Sequence, residues 1–233
     1  VNTLGINPAG KTLRDLYNLA NEKPRLYTNK YANTTLARRN SSSNPEFFTG
    51  SAAGWSGAVV PAIIASPWDA ARKAAQYTAT GGGTFYIFGG NSTDSFSAGD
   101  IVTCSAKITL PVGSFFRVNV HSMSGNVYFL GNGGTGLAPI DPAPADGLPF
   151  RVAATATLNA DVGANFLALA MIVYSTAGAG ALGAGSIVNI SDHMVEKTSQ
   201  SLPYFSGANA ADSNYNYSWQ GAAGISPSIA IPK

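Results

Sequence analysis

From Asp100 to Leu110 the chain alternates. Val102, Cys104, Ala106 and Ile108 fall on one side, and Thr103, Ser105, Lys107 and Thr109 on the other. A period of two belongs to a strand with one face in a core and the other toward solvent. Ser114–Met123 repeats it, with Phe116, Val118 and Val120 opposite Phe115, Arg117, Asn119 and His121. Gly185–Lys197 sets Ile187, Asn189 and Ser191 opposite Val188, Ile190 and Asp192. Gly83–Gly89, Asn126–Gly131 and Phe150–Leu158 are shorter runs of β-formers, and Phe166–Tyr174 is almost continuously apolar. Eight or so such segments, joined by Gly, Pro and Asn turns, predict an all-β sandwich. The first 35 residues follow another rule. Thr12 can cap a short helix to about Glu22, with Leu13, Leu16, Tyr17, Leu19 and Ala20 on one side; Pro24 stops it, and Thr28–Thr35 reads as extended. The pattern therefore predicts a helical and extended docking arm over 1–35 and a β-sandwich over 36–233.

Composition sharpens this picture. Charged residues make up 11% of the 233 residues, against about 25% in an ordinary soluble domain. Long amphipathic helices need charged faces, so this argues against a helical bundle. Residues 1–39 carry seven Lys and Arg against two acids, a net +5, and the remainder is −3, which gives the chain its +2. A basic arm ahead of a weakly acidic domain suits docking on an acidic protein surface, with Arg14, Leu16, Tyr17, Arg25, Arg38 and Arg39 as the contacts; a solvated helix and linker is the alternative. Nucleic acid is not expected, because the basic residues are not interleaved with aromatics. The Phe166–Tyr174 run is shorter than the roughly 20 residues of a bilayer span, and Val1–Pro8 lacks the charged and apolar regions of a signal peptide. The single cysteine, Cys104, allows no intramolecular disulfide and is expected as a small buried hydrophobe.

Reactive chemistry is sparse. His121 and His193 lie in different strands without metal-ligand spacing and are expected as satisfied surface histidines. No Gly-x-Ser-x-Gly elbow occurs. The glycine runs at 81–83 and 131–136 lack the Lys-Ser/Thr of a phosphate loop. The acids Asp94, Asp141, Asp146, Asp161 and Asp212 sit in turns rather than as a pair across a cleft. The expectation is a protein that is not an enzyme and uses neither cofactor nor metal. Binding is the better prospect: aromatic faces stack on the apolar side of a sugar ring while polar side chains take its hydroxyls. Tyr86, Arg117, Asn119, Tyr128, Tyr217 and Trp219 are the candidates. Tyr215, Tyr217 and Trp219 alternate as a strand would, so they could equally close the sandwich or meet a neighbouring subunit. Trp55 reads as core.

Two stretches carry resemblances. Tyr204-Phe-Ser-Gly, a polar turn, Tyr215-x-Tyr-x-Trp-x-Gly and Ser226-x-Ser resemble the closing segment of jelly-roll domains in minor tail proteins of long-tailed bacteriophages. Asn44-Pro-Glu-Phe-Phe-x-Gly, followed by Gly54-Trp, resembles the opening of family 4, 9 and 22 carbohydrate-binding jelly rolls, although Glu46 here precedes the phenylalanines. The later order of strands fits the same pattern, and Asp192 resembles an aspartate of the late strand near a structural Ca²⁺ site; one carboxylate is too few for such a site. The resemblances imply a jelly-roll β-sandwich in a phage virion, in the tail or tail tip. They imply attachment to other virion proteins through the arm, a homo-oligomer in the assembly, and a host-surface glycan as candidate ligand. A capsid decoration or head-fibre protein is one alternative, and a carbohydrate-binding module of a secreted enzyme is another.

Overall fold

A computed structural model describes residues 37–123, 127–129, 137–177, 180–224 and 226–233. The helix and docking residues Arg14, Leu16, Tyr17 and Arg25 lie outside them. Fourteen strands and no helix make up the described residues: β1 (Arg38–Asn40), β2 (Trp55–Gly57), β3 (Ala62–Ser66), β4 (Asp69–Thr78), β5 (Phe85–Gly89), β6 (Ile101–Thr109), β7 (Phe115–Ser122), β8 (Val127–Phe129), β9 (Asp141–Pro142), β10 (Phe150–Thr157), β11 (Leu167–Tyr174), β12 (Ile187–Glu196), β13 (Tyr215–Trp219) and β14 (Ser228–Pro232).

One sheet runs β10-β6-β12-β4-β3. A second runs β2-β5-β11-β7-β8, with β9 also on β7, and a small third sheet runs β1-β14-β13. All pairs are antiparallel. The chain passes back and forth between the two large sheets: β2, then β3–β4, β5, β6, β7–β9, β10, β11 and β12. That connectivity makes a jelly-roll β-sandwich.

The alternation read from the sequence builds the core. Val102, Cys104, Ala106 and Ile108 of β6 join Tyr77, Val188 and Ile190 from their own sheet. They meet Phe85, Ile87, Val118, Val120, Leu169, Met171 and Val173 of the other. Each large aliphatic or aromatic side chain contributes about 1.5–3 kcal/mol on burial. Cys104 is fully buried, and burial pushes its thiol upward, which leaves it inert.

The hairpin β3–β4 was not anticipated. Asp69-Ala-Ala-Arg-Lys-Ala-Ala carries helix formers, yet it pairs with β3 and β12 as a ten-residue strand. Burial of Ala75 and Tyr77 in the core overrides that local preference.

β12 also departs from the simple alternation. A bulge shifts its register between Ser191 and Met194, and Asp192 takes a left-handed φ of 52°. Before the bulge Val188 and Ile190 face the core; after it Val195 does, while Met194 joins a separate cluster outside. Asp192, which simple alternation sets on the face of Val188 and Ile190, instead reaches the outer side and Arg72, with an N–O distance of 3.3 Å.

The same bulge turns His193 inward. Both histidines, expected at the surface, are buried, at 0% exposure for His193 and 1% for His121. His193 shares a 2.6 Å hydrogen bond with Ser42 and stands edge-on to Trp55, ring centroids 5.3 Å apart. Desolvation, helped by the charge of Arg151, pulls its pKa down to about 3. The backbone beside it must be glycine. A Cβ on Gly90 (φ 65°) would stand 1.9 Å from the imidazole, and one on Gly89 would stand 2.2 Å from the Trp55 ring.

Two outcomes follow from this packing. Gly90→Ala should lose about 3 kcal/mol or more through overpacking and a forbidden φ, which corresponds to a melting point lower by roughly 6–12 °C; calorimetry measures it. His193 has a folded pKa below its unfolded one, so its contribution is complete above pH 6.5 and is lost as pH falls toward 3. Between pH 6 and 5 its share of the loss approaches about 1.4 kcal/mol per pH unit. Urea unfolding of wild type and His193→Asn across that window measures it; equal slopes in the two proteins would assign the acid sensitivity elsewhere.

Candidate functional site

The outer faces of the two large sheets are used differently. On the five-stranded sheet, the closing segment packs down. Tyr204 lies between two guanidinium groups, Arg72 at 5.3 Å and Arg151 at 5.6 Å from its ring centroid, and its hydroxyl donates to Glu46 at 2.8 Å. Desolvation and the neighbouring Glu46 carboxylate push that phenol well up. Phe205 is buried with Met194, Tyr215 and Ala230, under the guanidinium of Arg38 at 4.7 Å. Gly207 is needed because a Cβ there would stand 2.5 Å from the Trp219 ring.

Two of the sequence candidates belong to this closing unit. Tyr217 packs on Phe205, ring centroids 5.8 Å apart, and its hydroxyl donates to Asp212 at 2.5 Å. Trp219 is half-buried against Gly207.

Arg38 and Arg39, expected to dock the arm on a partner, are instead engaged within the domain. Arg38 donates twice to Glu196, at 3.1 and 2.9 Å, and also to the Pro203 carbonyl; Arg39 holds Asp94. They stand on β1, which pairs with β14, so backbone register aims both forks at carboxylates of the same chain. Arg72 gathers Glu46, Asp69 and Asp192 at 3.5, 3.1 and 3.3 Å. Among the described residues no group of three or more His, Cys, Asp or Glu side chains could hold a metal. The carboxylates nearest Asp192 face this guanidinium.

The remaining candidates converge on the outer face of the other sheet. Register sets Tyr86 of β5, Ile172 of β11 and Arg117 of β7 in one row. Phe88, Ala170 and Asn119 form the next row, followed by Ala168 and His121, with Tyr128 opposite His121 on β8. On the other side of the Arg117 row stand Tyr174 and Phe115. Alternation alone put these residues on one face, and pairing of three neighbouring strands brings them side by side.

The face has a closed end and an open end. At the closed end Phe88 and His121 bring their rings to 4.9 Å across Ala168 and Ala170, which are buried. Asn119, also buried, accepts a hydrogen bond from the Ala138 backbone at 3.2 Å and so ties down a crossing segment. Burial lowers the His121 pKa. At the open end Tyr86 is 38% exposed and Tyr174 half-buried. Arg117 lies over the Tyr174 ring at 5.3 Å, and among the described residues it makes no ion pair. Phe88 and Tyr174 were not singled out by sequence. Tyr174 closes a run read as almost continuously apolar, and its position two residues after Ile172 was the available signal.

The arrangement can bind but offers little for catalysis. The serine–histidine contact of Ser42 and His193 is sealed from solvent, and a histidine held near pH 3 is a poor base at neutrality.

No protein-family model matches the chain, and no curated protein does. Among solved structures, an arabinose-bound family 51 α-L-arabinofuranosidase is similar over 67% of this chain and 26% of its own, at 12% identity and a TM-score of 0.48. The C-terminal family 6 carbohydrate-binding module of a laminarinase from Zobellia galactanivorans is similar over 70% of this chain and all of its own, at 10% identity and a TM-score of 0.36. A family 11 carbohydrate-binding module from Clostridium thermocellum, in complex with a β-1,3-1,4-mixed-linked tetrasaccharide, is similar over 72% of this chain and all of its own, at 8% identity and a TM-score of 0.37. At these identities the likeness concerns the fold, and function rests on this chain's own residues.

Proposed function

We propose that the sandwich is a non-catalytic glycan-binding module that takes a short oligosaccharide on the open end of its six-stranded sheet. The observation that carries this reading is Arg117, which makes no ion pair among the described residues and stands between two tyrosines, Tyr86 across the sheet and Tyr174 beneath its guanidinium. Tyr86 and Arg117 stand two strands apart, about 10 Å, so one ring can stack on the tyrosine while a neighbouring ring meets the guanidinium. Five fixed N–H donors and no acceptor make arginine a reader of hydroxyl oxygens. Ile172 between them supplies an apolar floor.

A second reading concerns setting, and it rests on the sequence resemblance of the closing segment. The closing segment that resembles phage minor tail jelly rolls is the one that locks onto the sandwich through Tyr204, Phe205 and the Gly207–Trp219 contact. In that setting the module sits on a virion, attached to other virion proteins through its N-terminal arm and repeated in a homo-oligomer. A capsid decoration protein and a binding module of a secreted enzyme are its rivals.

Binding is measured by titrating soluble oligosaccharides and by glycan-array screening. Tyr86→Ala and Arg117→Ala should each weaken an identified glycan about tenfold or more, from lost stacking and lost charge-assisted hydrogen bonds, with thermal stability retained. Wild-type affinity in both variants would remove the face from consideration. For the setting, antibody-labelled particles imaged by electron microscopy should carry label at the tail tip; label over the head supports decoration, and unlabelled particles support the secreted module.

A further inference from the structure

Away from the aromatic face, the loop that follows β1 borders a pocket of about 580 Å³ that opens to solvent, with Thr49, Ser51 and Asn165 exposed on its walls. Its walls include Ser43, Asn44, Thr49, Ser51, Asn91 and Asn165, and no charged or aromatic side chain lines it. Three carboxamides and three hydroxyls from three separate segments therefore converge on one space.

The backbone around it is held in an unusual state. Among the described residues four non-glycine positions have a left-handed φ, and two of them, Asn44 (51°) and Asn165 (68°), line this pocket. A third, Phe47 (51°), belongs to the same loop, where its carbonyl accepts from Gly50 N at 2.8 Å. Asparagine tolerates this region better than most residues, and the two asparagine positions set the course of the backbone where it borders the pocket. Asn44 adds an independent sign. It is 3% exposed, its Nδ2 donates to the Ser51 carbonyl at 2.8 Å, and its buried Oδ1 has no hydrogen-bond partner in the protein. Other buried polar atoms of the described residues, such as the Tyr77 and Tyr215 hydroxyls, also lack a partner, and the Asn44 oxygen is the one on a residue that lines this pocket. Among the described residues no side-chain hydrogen bond to Asn91 or Asn165 is formed, and their backbones are fixed, Asn91 O accepting from Ser43 N and Asn165 N donating to Ser92 O.

We propose that this pocket is a second binding site, for a single neutral hydroxylated ring such as the terminal residue of a glycan. A carboxamide presents a donor and an acceptor side by side, which suits adjacent hydroxyls that must both give and take a hydrogen bond. The absence of any charge in the walls disfavours uronic acids, phosphates and amines, whose desolvated charge would find no partner. The absence of an aromatic platform disfavours a chain laid flat and favours a ring held by its edges. The proposal stands independently of the Tyr86–Arg117 face.

The test is a titration of the ¹⁵N-labelled protein with neutral methyl glycosides of gluco, galacto, manno and N-acetylglucosamine type, and with a methyl uronoside. It is followed by amide shifts in wild type, Tyr86→Ala, Asn165→Gly and the double variant Asn91→Ala/Asn165→Gly. Glycine suits the φ of Asn165, so Asn165→Gly keeps the fold even if the double variant does not. At least one neutral glycoside should shift amides of residues 43–54, 91 and 165 equally in wild type and Tyr86→Ala. Its affinity should fall about tenfold in Asn165→Gly, as the loss of a good hydrogen bond implies. Four results would overturn the proposal: no glycoside shifts these amides, shifts unchanged in both pocket variants, tighter binding of the uronoside, or shifts confined to the Tyr86 face. The last leaves the aromatic-face reading standing; pocket shifts in a protein that shows no effect of Tyr86→Ala on any glycan leave the pocket standing alone.

Discussion

The bulge at Asp192 and His193 is the constraint on which the rest of the molecule turns. A regular strand would send consecutive side chains to opposite faces with no choice in the matter. By inserting one residue, β12 aims Asp192 outward to Arg72 and His193 inward to Ser42 and Trp55. The outward branch, through Arg72 and Glu46, fixes Tyr204 and with it the closing segment. The inward branch, through Trp55 and the glycines at 89 and 90, fixes the junction of β2 with β5. One irregularity thus ties the first, middle and last parts of the domain together.

Charge is scarce in this chain and is placed where the fold needs direction. Arg38 with Glu196, Arg39 with Asp94, and Arg72 with Glu46 and Asp192 each join segments far apart in sequence. The Arg38–Glu196 pair is nearly buried, and burial raises the Glu196 pKa against the pull of its partner arginine. Such pairs add little net stability but penalise wrong registers severely, because a misplaced partner would leave a buried charge alone. Among the described residues Arg117 makes no ion pair, and its guanidinium lies over the Tyr174 ring instead.

The alternation of β6 and β7 was legible because each strand has one face in the core and one outside, so burial writes a period of two into the residues. That same pattern placed Tyr86, Arg117 and Asn119 on a common face, although only the pairing of β5, β11 and β7 shows them adjacent. β4 was illegible because its alanines and basic residues satisfy helix propensity, and its strand state comes from neighbours distant in sequence. Asp192 and His193 were misplaced because a bulge leaves no compositional trace where the strand is otherwise regular. Arg38 and Arg39 looked like the end of a basic arm because their carboxylate partners lie 158 and 55 residues away. The carboxamide pocket had no linear signature, since Asn44, Asn91 and Asn165 meet only after three loops are brought to one end.

Cys104 gives the molecule a property of a different kind. It is the chain's single thiol, and it lies sealed between the two sheets. A thiol-specific reagent can reach it only when the sheets part, so its rate of modification follows opening of the sandwich rather than fraying at a loop. The protein therefore carries a built-in chemical clock for the separation of its two layers.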